Sequence, residues 1–295
     1  MSVATSIGVV AHYNLLERLE PAGPGEVYRA RDTRHGRTVI VRVLPAMGQA
    51  DEQVLLRQLE SLSKLSHQNV IHLYQAGVHE GRVYLAFEHL TGRSLRAEMA
   101  GRQMNVRRAV EAAIGIADAV AEAHALGFLH RGISPDSIGF TTKGHVKVAA
   151  SHLGTILGFQ DHDSSLMDYE SPEEGRGELA DERADVYSIG AVLYEMLTAR
   201  RPMPRGASAP SGSHAMVPAA VDAVVLKAVA PNPERRFQTA AEFGGALRAV
   251  LPGLQLPDVP RELTGAGSTS AGRIGVMTVV LLAALAAIAW WLMRS

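Results

Sequence analysis

The 295-residue chain has no cysteine, which excludes disulfides, thiolate zinc sites and a cysteine nucleophile and fits a reducing compartment. A metal would have to rely on oxygen or imidazole ligands. The histidines lack paired metal spacing. His67, His72, His124 and His145 read as packing or surface residues, and no metal site is expected. Neither sign of charge is in excess, since 29 Lys and Arg stand against 30 Asp and Glu for a formal net charge of −1. With the basic residues dispersed there is no electrostatic footprint for nucleic acid, which is dropped as a partner. Met1 to Val10 lacks a basic n-region, so no signal peptide is expected there.

What is present is apolar enough to fold, with 47% hydrophobic residues to fill a sizeable core. A charge-free run from Ile274 to Met293 is long enough to span about 30 Å of hydrocarbon. Arg273 and Arg294 bracket it, and Trp290 and Trp291 sit near one end as an interfacial belt would. Residues 252–273 are rich in Pro, Gly, Ser and Thr and read as a tether. Upstream, strand candidates fall at Asn14 to Leu19, Glu26 to Arg31, Thr38 to Leu44, Ile71 to Ala76 and Val83 to Phe87. Asp51 to Leu65 has helical spacing, Val106 to His124 carries a long amphipathic stripe, and Asp185 to Leu197 is apolar almost all round. The pattern predicts an α+β chain, with a small sheet lobe followed by a mainly helical one.

A series of motifs runs through these segments. Leu19 to Tyr28 holds Gly23 and Gly25 in a turn ahead of Val27; Val39-Ile40-Val41-Arg42 lies in a strand; Phe87-Glu88-His89-Leu90 closes the sheet region. His130-Arg131-Gly132-Ile133-Ser134-Pro135-Asp136-Ser137 follows the long helix, then come Lys147 to His152, Ser171-Pro172-Glu173, Asp185 to Gly190 and Pro233-Glu234-Arg235-Arg236. In this order the segments resemble the landmarks of the protein kinase family, bacterial serine/threonine kinases with a membrane anchor in particular. The match covers about Tyr13 to Leu251, and its specificity lies in the ordered series. The resemblance implies the two-lobed kinase fold over residues 13–251, with lobes at 13–90 and 91–251. It leaves an N-terminal extension at 1–12 and, after the linker, a transmembrane helix at 274–293.

The resemblance also exposes what is missing. The catalytic-loop pattern His-Arg-Asp-x-Lys-Pro-x-Asn reads Gly132, Ser134 and Ser137 at its base, phosphoryl-steadying and metal-binding positions, and Ala150 replaces the Asp of Asp-Phe-Gly. No residue is therefore assigned as catalytic. Glu20, Ala22 and Pro24 disturb the Gly-rich loop, Leu166 falls where a Thr is expected, and Arg42 stands where a Lys binds phosphates. Gln58 occupies the position of the αC Glu that would pair with that Lys. Arg42 keeps two readings, a phosphate contact or a structural residue. Nucleotide-binding candidates are Gly23, Gly25, Val27, Arg42 and Glu88, with ATP as a ligand that needs no Mg²⁺.

The shape-keeping positions are retained. Glu173 and Arg236 take the places of a buried ion pair, Asp185 those of an anchor for the catalytic-loop backbone, and His130 and Arg131 pack and bridge there. The expectation is a membrane-tethered pseudokinase, a regulatory or scaffolding module whose partner is a true kinase or another signalling protein. The alternative is an atypical ATP-dependent serine/threonine kinase with rearranged ligands, drawing on Glu20, Asp136 or Asp161. A terminal span would leave the kinase-like domain facing the cytoplasm at the cell membrane. Ala283 and Ala287 form a small-x-x-x-small pair suited to a homodimer.

Overall fold

The computed structural model describes residues 6–20, 25–149, 167–203 and 206–254. Gly23, Ala150, Asp161, Leu166, most of the linker and the apolar run at 274–293 lie outside the described residues. Among the described residues, no helix is long and apolar enough to cross a membrane.

The first lobe is an antiparallel six-stranded sheet in the order β1-β2-β3-β4-β6-β5, with β1 Gly8–Val10, β2 Tyr13–Leu19, β3 Glu26–Asp32, β4 Arg37–Val43, β5 Leu73–His79 and β6 Arg82–Glu88. Alternation on β4 sets two faces. Val39, Val41 and Val43 are buried in a small core with Tyr13, Ala30 and Tyr84, while Ile40 and Arg42 share the other face with their cross-strand partners Phe87 and Leu85. Helix α1, Gln49–Ser63, buries Leu55, Leu59 and Leu62 in the main core.

Four boundaries differ from the sequence expectation. Strand β1 lies inside the expected extension and pairs with β2, because Ala11 takes a left-handed φ of 50° and turns the chain back. Strand β5 begins at Leu73 because the Ile71 N–H donates to Val148 O at 2.9 Å, giving that residue to the helical lobe. It runs on to His79, where Glu80 and Gly81, both at positive φ, make the tight hairpin to β6. The helical lobe also extends past 251, since a 3₁₀ turn at Leu251–Gly253 leads to a buried Leu254 and Arg107 Nη1 donates to the carbonyls of Leu251 and Leu254.

The second lobe is built on α3, Val106–Ala125, and α5, Glu182–Thr198, with α2 Leu95–Met99, α4 Pro172–Gly175, α6 Ala219–Ala228 and α7 Ala240–Val250 around them. Helix α5 is buried almost all round, as its apolar sequence requires. Asn105, Asp181 and Thr239 cap their helices by accepting from backbone N–H groups. The hairpin of β7, Ile138–Phe140, and β8, Val146–Val148, follows the catalytic-loop segment. Buried Asn69 donates from Nδ2 to Val146 O at 2.8 Å and ties the α1 junction to this hairpin.

Candidate functional site

The segment His130–Ser137 is held from beneath by one carboxylate. Asp185, in the first turn of α5, accepts from the His130 N–H through Oδ2 and from the Arg131 N–H through Oδ1, each at 2.7 Å. His124 Nε2 on α3 reaches the same Oδ2 at 2.7 Å, with its Nδ1 3.6 Å from Glu182. Burial pushes the Asp185 pKa up, but these bonds and the nearby His130 outweigh it and leave it below the ordinary carboxylate range. His130 donates from Nε2 to Ala149 O at 2.8 Å; burial lowers its pKa, so it favours the neutral imidazole. Arg131 is exposed and sits at φ 50°, a left-handed turn fixed by its N–H bond to Asp185.

A second anchor lies under the segment before α5. Arg236 grips Glu173 through both nitrogens, Nη1 to Oε1 at 2.6 Å and Nη2 to Oε2 at 2.7 Å, with neither side chain more than 7% exposed. The same guanidinium donates to the carbonyls of Ala230, Arg183 and Pro231 and lies 4.9 Å from the Tyr187 ring centroid. Its donors are thereby matched. Ser171 and Glu174 close a capping box around α4, which fixes Glu173 in its first turn.

On the loop itself two serines bond to each other. Ser137 Oγ donates to Ser134 O and accepts the Ser134 N–H, both at 3.0 Å. Ser134 is buried, and its own Oγ has no hydrogen-bond partner among the described residues. Asp136 is held through Oδ2 by Arg96 Nε and Nη2 at 3.2 and 3.0 Å. Arg96, on α2, also donates to Glu195 Oε1 at 3.1 Å and to Tyr169 Oη at 2.9 Å, and Tyr169 in turn donates to Glu195. Burial and then the Glu195 carboxylate push the Tyr169 pKa up to about 12. This knot links α2, the catalytic loop, the segment before α4 and α5. No local pattern points to Arg96, Tyr169 or Glu195, because they meet only across the fold.

Of the nucleotide-binding candidates, Gly25, Val27, Arg42 and Glu88 lie among the described residues. Gly25, at φ 92°, precedes β3 so close to β4 that a Cβ there would lie 2.3 Å from Val43 O. Val27 is buried and pairs with Arg42, which is half-buried in mid-strand. At Glu88 the carboxylate accepts from Lys147 Nζ at 2.6 Å and from the His72 N–H at 3.2 Å. Gln58 departs from expectation, because the buried stripe of α1 leaves it exposed. Among the described residues, no group of three or more His, Asp or Glu is arranged to hold a metal.

A family model for the protein kinase domain matches residues 13–243. The chain belongs to the protein kinase family. It is 35% identical over 288 residues to a serine/threonine-protein kinase PknB of Mycolicibacterium smegmatis, covering 88% of this chain and 46% of that protein. To PknB of Mycobacterium tuberculosis it is 34% identical, with the same coverage. To a probable serine/threonine-protein kinase of Streptomyces coelicolor it is 32% identical, covering 82% of this chain and 40% of that one. The chain thus spans less than half the length of these relatives. Among solved structures, a point mutant of the M. tuberculosis PknI kinase domain matches with a TM-score of 0.67 and 23% identity, covering 84% of this chain and 99% of that one. That likeness shows the two-lobed kinase fold, and the relatives carry the names of bacterial serine/threonine kinases.

The family's general cofactors are ATP and Mg²⁺. The described residues do not fit Mg²⁺, which wants carboxylate oxygens in near-octahedral array. Ser137 spends its hydroxyl on Ser134, and the nearby carboxylate of Asp136 is paired with Arg96.

Proposed function

We propose that this kinase family member is a pseudokinase, a regulatory or scaffolding module in serine/threonine kinase-type signalling that does not transfer phosphate. One observation carries the reading: a catalytic loop fully anchored by Asp185 presents Gly132, Ser134 and Ser137 where base, cation and metal ligand belong. Losing the base alone costs about 10²- to 10⁴-fold in rate. Losing metal and lysine electrostatics adds a further, non-additive term. The fold then serves recognition, with a true kinase or another signalling protein as partner. Residues 274–293 tether it to the cell membrane with the kinase-like domain facing the cytoplasm.

The names of the relatives favour a second reading, an atypical ATP-dependent serine/threonine kinase with rearranged ligands. It needs a carboxylate in the cleft. Among the described candidates Asp136 is tied to Arg96 and Glu20 is exposed. The deciding experiment is a phosphotransfer assay on the purified full chain with ATP, with and without Mg²⁺. The pseudokinase reading expects no turnover in either condition. Metal-dependent transfer that Arg42→Ala abolishes would overturn it.

A further inference from the structure

Arg31, Arg34, His35 and Arg37 crowd the turn that joins β3 to β4, His12 faces it from the turn after β1, and Asp32 is the carboxylate in their midst. Asp32 is fully buried, and its lone pairs are filled from within the turn. Oδ1 accepts from the Arg34 and His35 N–H groups at 3.0 and 3.1 Å, and Oδ2 accepts from His35 Nδ1 at 2.9 Å and Arg37 Nε at 3.2 Å. His12 Nε2 stands 3.5 Å from Oδ1. Gly36, at φ 64°, closes the turn by donating its N–H to Asp32 O at 2.9 Å, and Thr33 Oγ1 donates to His12 O at 2.8 Å. A carboxylate so engaged fixes the turn and the His35 ring, and has no lone pair left for a further guanidinium.

Two guanidinium groups are left over. Arg31 and Arg34 are exposed, and neither makes an ion pair among the described residues. Other arginines of the same sheet are matched, Arg29 by Glu17 at 2.8 Å and Arg18 and Arg82 by Glu26 at 3.2 and 3.0 Å. Arg37, besides meeting Asp32, lies 3.4 Å from the Tyr74 ring centroid. Arg31 Nη2 reaches back over the turn, 3.8 Å from where a Cβ on Gly36 would lie. Burial and then the charge of Arg34 lower the His12 pKa, so Arg34 acts on the same side of the turn. With Nδ1 held by Asp32 and the ring 62% exposed, His35 presents its Nε2 edge to water beside them. Surface arginines are usually just solvated. These differ in being carried by a turn that a buried carboxylate locks. Planar guanidinium forks match the oxygens of a phosphate, and two unmatched positive charges suit a doubly charged phosphoryl group better than a carboxylate.

We propose that Arg31, Arg34 and the outer edge of His35 form a binding site for a phosphoryl oxyanion, supplied as a free phosphate monoester or as the headgroup of an acidic lipid. The site uses no residue of the catalytic loop and none of the nucleotide-binding candidates, so it stands whether or not the chain transfers phosphate.

The test is a nuclear magnetic resonance titration of the full chain in micelles of an uncharged detergent, following the His35 ring and the amides of residues 31–36. Inorganic phosphate is the probe in one arm and short-chain phosphatidic acid in the other, with short-chain phosphatidylcholine as the control. Saturable shifts with at least one probe and none with phosphatidylcholine are expected. A response to phosphatidic acid alone assigns the lipid headgroup, a response to inorganic phosphate alone assigns the free monoester, and a response to both opens the site to either source. Arg34→Gln and Arg31→Gln should each weaken the binding at least about tenfold, as loss of a charge-assisted contact does. Both side chains are exposed and unpaired, so these variants keep the fold. Arg248→Gln, which removes the same charge from α7 where Arg248 pairs with Asp118, should leave the affinity unchanged. No saturable shift with either probe overturns the proposal, as does unchanged binding by Arg34→Gln. An equal weakening by Arg248→Gln overturns it too, because binding would then follow net charge alone.

Discussion

Asp185 lies beneath the catalytic loop and Ser137 lies on it, and the two surroundings are built to different ends. Below, Asp185 gathers two backbone N–H groups and an imidazole in a site only 1% exposed, and Glu173 and Arg236 match each other in the same buried layer. On the loop and in the cleft, Ser137 bonds only within the loop, Asp136 pairs with Arg96, and the sheet's Glu88 turns to Lys147. The difference teaches that holding a loop and using it are separable. A buried charge needs its partners for the fold to exist, whereas cleft residues are kept only by the chemistry they perform.

The contrast breaks most readily at the lower layer. Arg236→Ala strands the Glu173 carboxylate and should cost about 3 to 5 kcal/mol, read as a fall in the denaturant midpoint without a change in slope. A loss under about 1 kcal/mol would mean that the pair is not structural. Next comes Asp185→Ala, which orphans two N–H groups and His124 and should cost about 3 kcal/mol in the same measurement.

Asp185 also fixes the acid response. Its folded pKa lies below the unfolded value of about 3.9, so its contribution is complete well above that value and is lost as pH falls through the folded one. Asp32 behaves alike. Burial raises its pKa, but bonds from His35, the Arg34 N–H and Arg37 outweigh that and lower it to about 2. Wild-type stability should therefore drop between about pH 4 and pH 2, and Asp185→Asn should flatten part of that drop.

Changes on the cleft side should be milder. Ser137→Ala removes two bonds the loop makes only with itself and should cost about 1 to 2 kcal/mol. A larger loss would move the loop surface into the structural class. The smallest effect is expected at Leu179, 99% exposed between the two anchors, where Leu179→Ser should stay within about 0.5 kcal/mol.

Much of the fold is legible along the chain. The alternation around Val39, Val41 and Val43 marks a strand, the stripe from Val106 marks α3, and the apolar girth of α5 marks its burial. Strand β1 is illegible because three residues carry too little periodicity, and Gln58 is misplaced because motif position does not say which way a helix is turned. Of the site, Asp185, Glu173 and Arg236 can be named from motif order. His124 cannot be assigned its role, since nothing local in the helix distinguishes a histidine that will meet Asp185 61 residues later.

By itself the sequence determined the family and the order of the two lobes, because these reside in local pattern and in residue type. Tertiary structure alone decided that Glu88 meets Lys147, that Arg96 joins Asp136, Tyr169 and Glu195, and that His12 stands beside Asp32. Those contacts depend on how closely separate elements pack. A difference of an ångström settles whether two side chains bond, clash or leave a hollow, and no periodicity along the chain records that distance.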